Sequence, residues 1–128
     1  MRSLILYSGE RVVYESDGSG LRPLLLCILE NMGKYEDCRL FDKVIGLAAA
    51  RLIVYSKMIA DVDTLLASRL AIEHLEKNSI EIKAEKIVDN ILTEDKEDTC
   101  PMEKKATAME DKEFFDYFKR LALRTKAP

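Results

Sequence analysis

The segment from Asp42 to Tyr55 constrains the fold more than any other part of the sequence. From Val44 onward it reads VIGLAAARLIVY and is apolar almost all round at helical spacing. Because a helix that is apolar on every side is normally buried, this segment predicts a central helix packed between other layers. Asp42 fits the N-cap position of that helix, and Gly46 would let a neighbouring backbone approach closely.

Strand patterns alternate with helical patterns along the rest of the chain. Strands are predicted at 3–7, 11–15, 38–41, 61–67 and 80–87, and helices at 21–29, 42–55, 69–78 and 109–124. The turn signal Ser8-Gly9-Glu10 makes the first two strands a hairpin, and the last helix is amphipathic. The β-β-α-β-α-β-α-β order predicts an α/β fold in which a mixed sheet has helices on both faces. All 128 residues fit one domain.

Composition excludes several classes of function. The 20 basic and 23 acidic residues give a net charge of -3, so nothing electrostatic favours binding to a nucleic-acid backbone. No apolar run approaches the roughly 20 residues that span a bilayer. Because the first residues turn polar too early for a signal peptide, we expect a cytoplasmic protein and no membrane partner.

The cysteines and the single histidine do not form a metal motif. Cys27 and Cys38 lie in apolar runs and are expected to pack as small hydrophobic residues. His74 falls on a predicted solvated helix face, so an ordinary zinc site has too few ligands. We therefore expect no bound metal and no cofactor.

The run Cys100-Pro101-Met102-Glu103 carries the pattern of a helix start. Cys100 occupies the N-cap position, Pro101 the first helical position, and Glu103 the position of a capping-box carboxylate. A helix N-terminus favours the thiolate, which makes Cys100 a candidate nucleophile or sulfur carrier. Glu103 is a candidate general acid or base. A purely structural capping role is the alternative for both residues.

Asp42 and Lys43 are candidates for the same site. A lysine at the start of a buried helix needs an anion, which could be Asp42, a thiolate or a ligand. Helix starts that follow parallel strands gather at the carboxyl edge of a sheet, where ligands bind. We therefore predict that Asp42 and Lys43 meet Cys100 there.

Two further segments are predicted to bind the ligand. The turn Gly18-Ser19-Gly20 opens the first helix and could hold a phosphate through backbone amides, although a simple hairpin-to-helix connection also explains it. Ser68 is predicted as the N-cap of the third helix and, at that helix start, as a ligand-binding residue.

Three motifs together resemble a small uncharacterised prokaryotic family of the cytidine-deaminase-like superfamily. They are Asp42–Gly46 with Ala48–Ala50, residues 16–23, and Cys100–Glu103, and the likeness covers residues 3 to about 105. The resemblance implies a three-layer α/β/α sandwich whose buried second helix starts beside the active-site region.

The same resemblance argues against a zinc-dependent deaminase. True deaminases carry His-x-Glu or Cys-x-Glu at that helix start and Pro-Cys-x-x-Cys at the next. The corresponding starts here, Asp42–Val44 and Ser68–Leu70, cannot supply the zinc shell that activates water. The superfamily also hosts zinc-free enzymes, such as the formyl transferase of purine synthesis.

Taken together, the sequence predicts a zinc-free deaminase-like fold with a small-molecule pocket. The expected ligand is nucleotide-like or acyl-bearing, and the expected chemistry is a thiol-dependent transfer. The alternative is a ligand-sensing or protein-interaction module without catalysis. A homo-oligomer is one open alternative, because Phe114, Phe115 and Phe118 could be core or dimer-contact residues.

Overall fold

The computed structural model describes residues 2–90 and 101–124. The elements are β1 (Leu4–Ser8), β2 (Arg11–Ser16), α1 (Arg22–Asn31), β3 (Cys38–Ile45), α2 (Leu47–Ser56), β4 (Ile59–Ser68), α3 (Arg69–Lys77), β5 (Glu81–Val88), α4 (Pro101–Thr107) and α5 (Asp111–Arg124). The predicted order of strands and helices is confirmed, including a helix that begins at Pro101. Gly9, with φ of 62°, forms the predicted hairpin turn.

The five strands form one mixed sheet in the order β2-β1-β3-β4-β5. β1 runs antiparallel to both of its neighbours, whereas β3, β4 and β5 are parallel to one another. The predicted α/β class and mixed sheet are therefore confirmed. This topology brings the carboxyl ends of β2 and β3 to the same edge of the sheet.

One face of the sheet is covered by helices. Leu6, Leu40, Val62 and Ile82 are paired in register across four strands and face this helix layer. α1 packs on β1 and β2, α2 on β3 and β4, and α3 on β4 and β5. α4 and α5 pack against α2, which is therefore buried in the middle as predicted.

The opposite face is uncovered within residues 2–90 and 101–124. It carries Ile5, Phe41, Asp63 and Lys83 in one register row, and these side chains are half-buried or exposed. The layers are thus sheet, α1 to α3, and α4 with α5. The prediction that helices cover both faces of the sheet is therefore wrong, because every described helix stacks, directly or through α2, on one face.

Asp42 and Lys43 lie in β3, not at a helix start. Asp42 pairs in register with Leu4 on one side and Thr64 on the other, so ladder pairing continues the strand to Ile45. α2 begins at Leu47, and its N-cap residue is Gly46. The predicted N-cap role of Asp42 is therefore wrong.

Candidate functional site

A cavity of about 860 Å³ opens at the carboxyl edge of β2 and β3. Its walls come from the loop Asp17–Gly20, the start of α1, the end of β3, the start of α2, and one side of α4 and α5. Most of the lining is apolar, with Leu21, Phe118 and Leu121 as its larger side chains. The starts of two helices and the end of one strand therefore converge on one space.

Glu103 joins α4 to the start of α2. The backbone N–H of Leu47 donates to Oε1 of Glu103 at 2.7 Å, and that of Ala48 donates to Oε2 at 2.7 Å. Glu103 is only 8% exposed. Burial raises the pKa of Glu103, while the amides of Ala48 and Leu47 act in the opposite direction. Its carboxyl thus caps α2, a role that the sequence did not predict. The predicted capping-box contact back to Cys100 lies outside the described residues.

Gly46 makes room for this contact. A Cβ atom at position 46 would lie 2.6 Å from Cδ of Glu103, closer than real Cβ contacts allow. α2 also has no side-chain cap of its own at Gly46. A glycine and a distant acid therefore replace the local Ser, Thr or Asp that usually caps a helix.

Asp42 is the second acid of the cavity wall. Its neighbours in the sheet, Leu4 and Thr64, are buried. Burial raises the pKa of Asp42 from 3.8 to about 7, and the backbone amides of Val44 and Lys43 oppose this shift only in part. In the described part of the chain, no side chain donates a hydrogen bond to Asp42. Its carboxyl can therefore exchange a proton near neutral pH.

Lys43 also borders the cavity, but successive strand residues point to opposite faces, so its side chain does not accompany that of Asp42. It acts instead on Asp17. The pKa of Asp17 is lowered mainly by its hydrogen bond from Arg2 and, to a smaller extent, by Lys43. Lys43 and Asp17 thus belong to the outer part of the cavity.

The predicted ligand loop does line the cavity. Gly18, Ser19 and Gly20 all border it beside Arg22 at the start of α1. Gly20 has φ of 76°, a conformation that favours glycine. The N-cap residue of α1, Leu21, provides no side-chain hydrogen bond.

Other predicted site residues lie elsewhere. Ser68 does cap α3, since its hydroxyl accepts from the N–H of Ala71 at 3.2 Å, but it does not line the cavity. Cys100 lies outside the described residues, so its meeting with Asp42 stays a prediction. Cys27 and Cys38 are fully buried, as expected, and burial raises the pKa of Cys27 to about 12.

His74 is not the solvated residue that the sequence suggested. Its Nε2 lies 2.7 Å from Oδ1 of Asp111, and only 15% of its side chain is exposed. The same Asp111 oxygen accepts from Arg51 at 3.1 Å, and Nε of Arg51 donates to the carbonyl of Ala106 at 2.8 Å. This cluster fastens α4 and α5, and with them one wall of the cavity, to α2 and α3.

The family of the chain is shown by its sequence. Residues 1–121 match the profile of TM1506, a domain of unknown function (DUF1893). The chain belongs to the DUF1893 family. Its fold is similar to the crystal structure of a DUF1893 family protein (TM1506) from Thermotoga maritima, with a TM-score of 0.81 and 25% identity; the match covers 97% of this chain and 80% of that chain. No curated protein matches the sequence.

Among residues 2–90 and 101–124, no three His, Cys, Asp or Glu side chains converge on a metal position. In the same residues, no helix has both the length and the apolar character required to cross a bilayer.

A second cavity, of about 780 Å³, lies at the opposite edge of the sheet. It is bordered by the residues before β3, β4 and β5, where Asp37, Lys57 and Ser79 each have a positive φ. Its lining is mostly polar and charged. Ligands of open α/β sheets bind at the carboxyl edge, and small-molecule sites are mostly apolar with few polar groups. The first cavity is therefore the candidate site.

Proposed function

We propose that this protein binds a small amphipathic molecule, nucleotide-like or acyl-bearing, in the cavity at the carboxyl edge of the sheet. The observation that supports this is a cavity of about 860 Å³ with apolar walls and one carboxyl, Asp42, that no described side chain pairs. Small-molecule sites have volumes of about 300–1,000 Å³ and combine apolar walls with a few polar groups. The loop Gly18–Gly20 and Arg22 could hold an anionic end of such a ligand.

A relation to the cytidine-deaminase-like superfamily is part of this proposal. That resemblance implies an active-site region beside the start of the second helix, and the cavity borders the start of α2 at Gly46 and Ala48. Hydrolytic deamination is not included, because neither Asp42–Val44 nor Ser68–Leu70 carries the ligands of a zinc shell.

The test combines mass spectrometry with a cavity-filling variant. Native mass spectra of freshly purified protein should reveal a co-purified molecule, and ligand-observed NMR should detect fragments that bind. Ala49→Leu adds side-chain volume to the lining of the candidate cavity and should abolish both signals. Ala60→Leu adds the same volume to the second cavity and is the matched control. Equal binding by wild type and Ala49→Leu would refute the proposal.

Thiol-dependent acyl transfer is the second candidate function. The observation that favours it is that Met102 and Glu103, which follow Cys100 closely in the chain, line the cavity. The sulfur would bond to the acyl carbon while the leaving alcohol departs with the thiol proton. An enzyme should lose turnover on Cys100→Ser, whereas a ligand sensor should keep its affinity.

A further inference from the structure

The ionisable groups of the cavity are distributed unevenly. Asp42 and Glu103 form the inner wall, next to buried residues of the sheet and of α2. Among the described lining residues the basic ones are Arg22 and Lys43, which border the exposed loop Gly18–Gly20 and the Asp17 side of the cavity. A ligand therefore meets Asp42 and Glu103 at its inner end. At its outer end it meets Arg22 and Lys43, together with Asp17, whose carboxylate Arg2 already pairs.

The two inner acids, Asp42 and Glu103, differ in the hydrogen-bond acceptors that they offer to a ligand. Each oxygen of Glu103 already accepts a backbone hydrogen bond at 2.7 Å, so a ligand donor would have to share the oxygens that cap α2. Asp42 accepts from the backbone amides of Val44 and Lys43 in its own strand, and it has no side-chain partner within the described residues. An ionised carboxylate only accepts hydrogen bonds, and its two oxygens offer about four acceptor positions. Asp42 is thus the inner group whose remaining capacity a ligand can satisfy.

On the basis of the proposed function, we infer that the ligand presents paired N–H donors, as in an amidine or a related nitrogen group, to Asp42. Two parallel N–H groups match the two oxygens of a carboxylate and form charge-assisted hydrogen bonds. A carboxylate or phosphate at the same place would face the charges of Asp42 and Glu103 in a poorly solvated space. Any anionic group of the ligand belongs at the end of Arg22 and Lys43.

Benzamidine and benzoate test this inference, because they share one apolar ring and differ in whether they donate or accept hydrogen bonds. Their affinities are measured by NMR titration on wild type, Asp42→Asn and the control Asp61→Asn, whose acid lies on the uncovered sheet face. At about pH 8, wild type and Asp61→Asn should bind benzamidine at least about tenfold more tightly than benzoate. Asp42→Asn should lose this preference.

The pH dependence separates recognition by Asp42 from nonspecific attraction of a cation. Below about pH 7 the proton on Asp42 competes with benzamidine, so its affinity should fall by up to about tenfold per pH unit. A tighter benzoate complex at pH 8, or an unchanged preference in Asp42→Asn, would overturn the inference. If neither probe binds but other fragments enter the cavity, the ligand class is wrong and the proposed function stands. If nothing binds there, the proposed function fails.

Discussion

The strand wall and the α4 wall of the cavity each carry one acid, and the two acids differ in how their charge is satisfied. Burial raises the pKa of both Asp42 and Glu103. Glu103 receives two backbone hydrogen bonds at 2.7 Å from the start of α2, a distant part of the chain. Asp42 is contacted by the backbone amides of its own strand, at Lys43 and Val44, and by no described side chain. The difference teaches that an acid at this edge can either hold the fold together or remain available for a ligand.

Substitution of Glu103, the acid that is hydrogen-bonded to α2, should have the largest effect on the free energy of unfolding. Glu103→Ala eliminates two charge-assisted hydrogen bonds, each worth about 1.5–3 kcal/mol, and leaves the amides of Leu47 and Ala48 unpaired. We expect the free energy of unfolding to fall by about 3–5 kcal/mol in urea titrations. Glu76→Ala, which removes an exposed acid on α3, should change it by less than about 0.5 kcal/mol. Similar small losses in both variants would show that Glu103 is not a cap.

Gly46→Ala should be the next most destabilising change. The new Cβ would meet the Glu103 carboxyl, and overpacking of this kind costs about 1–3 kcal/mol. The cost should drop below about 1 kcal/mol in a Glu103→Ala background, because the colliding group is then absent. A double-mutant cycle measures this coupling. Additive losses would mean that the two residues act independently.

Asp42→Asn should change stability in the opposite direction and only at higher pH. Because burial raises the pKa of Asp42 from 3.8 to about 7, its stabilising contribution is complete below about pH 4 and is lost as the pH rises to about 7. Asparagine does not ionise, so the variant should match wild type near pH 4 and exceed it by about 1–3 kcal/mol above pH 7. Thermal unfolding at both pH values checks this. A gain of the same size at both would rule out titration of Asp42.

Ser68→Ala should have the smallest effect on stability. It tests whether Ser68 acts as a helix cap or as a ligand-binding residue. Loss of the hydrogen bond from Ala71 should lower the free energy of unfolding by about 1 kcal/mol. Since Ser68 does not line the cavity, fragment affinities measured by NMR should stay the same. A weakened ligand complex without loss of stability would return Ser68 to the site.

Local patterns in the sequence were sufficient to predict the order of the elements. Alternating residues marked β5, an apolar stripe marked α3, and Pro101 marked the start of α4. The buried position of α2 followed from its apolar surface alone. These features depend on neighbours within a few residues, which a single sequence contains.

The predicted start of α2 is wrong because the sequence around Asp42 is compatible with both a helix start and a strand. Asp42 and Lys43 are poor strand residues, and Asp42 is a good N-cap, so the local preference favours a helix. Pairing with Leu4 and Thr64 on both sides overrides that preference. One available signal was Gly46 followed directly by apolar residues. A helix start without a local cap implies that a cap comes from elsewhere.

The role of Glu103 could not be predicted from local sequence. Its partners, Leu47 and Ala48, lie 56 and 55 residues away. The same holds for His74, whose partner Asp111 is 37 residues away on α5. Only the packing of α4 and α5 against α2 and α3 brings these groups together.

The contact between Gly46 and Glu103 also restricts how related sequences can diverge. A side chain at position 46 needs the space that the acid occupies, and without the acid the first turn of α2 needs another cap. A substitution at one position is therefore tolerated only with a compensating change at the other. For example, Ser or Asp at position 46 could cap α2 if a smaller residue at position 103 made room for it. Across DUF1893 sequences the two positions should co-vary, although more than fifty residues separate them.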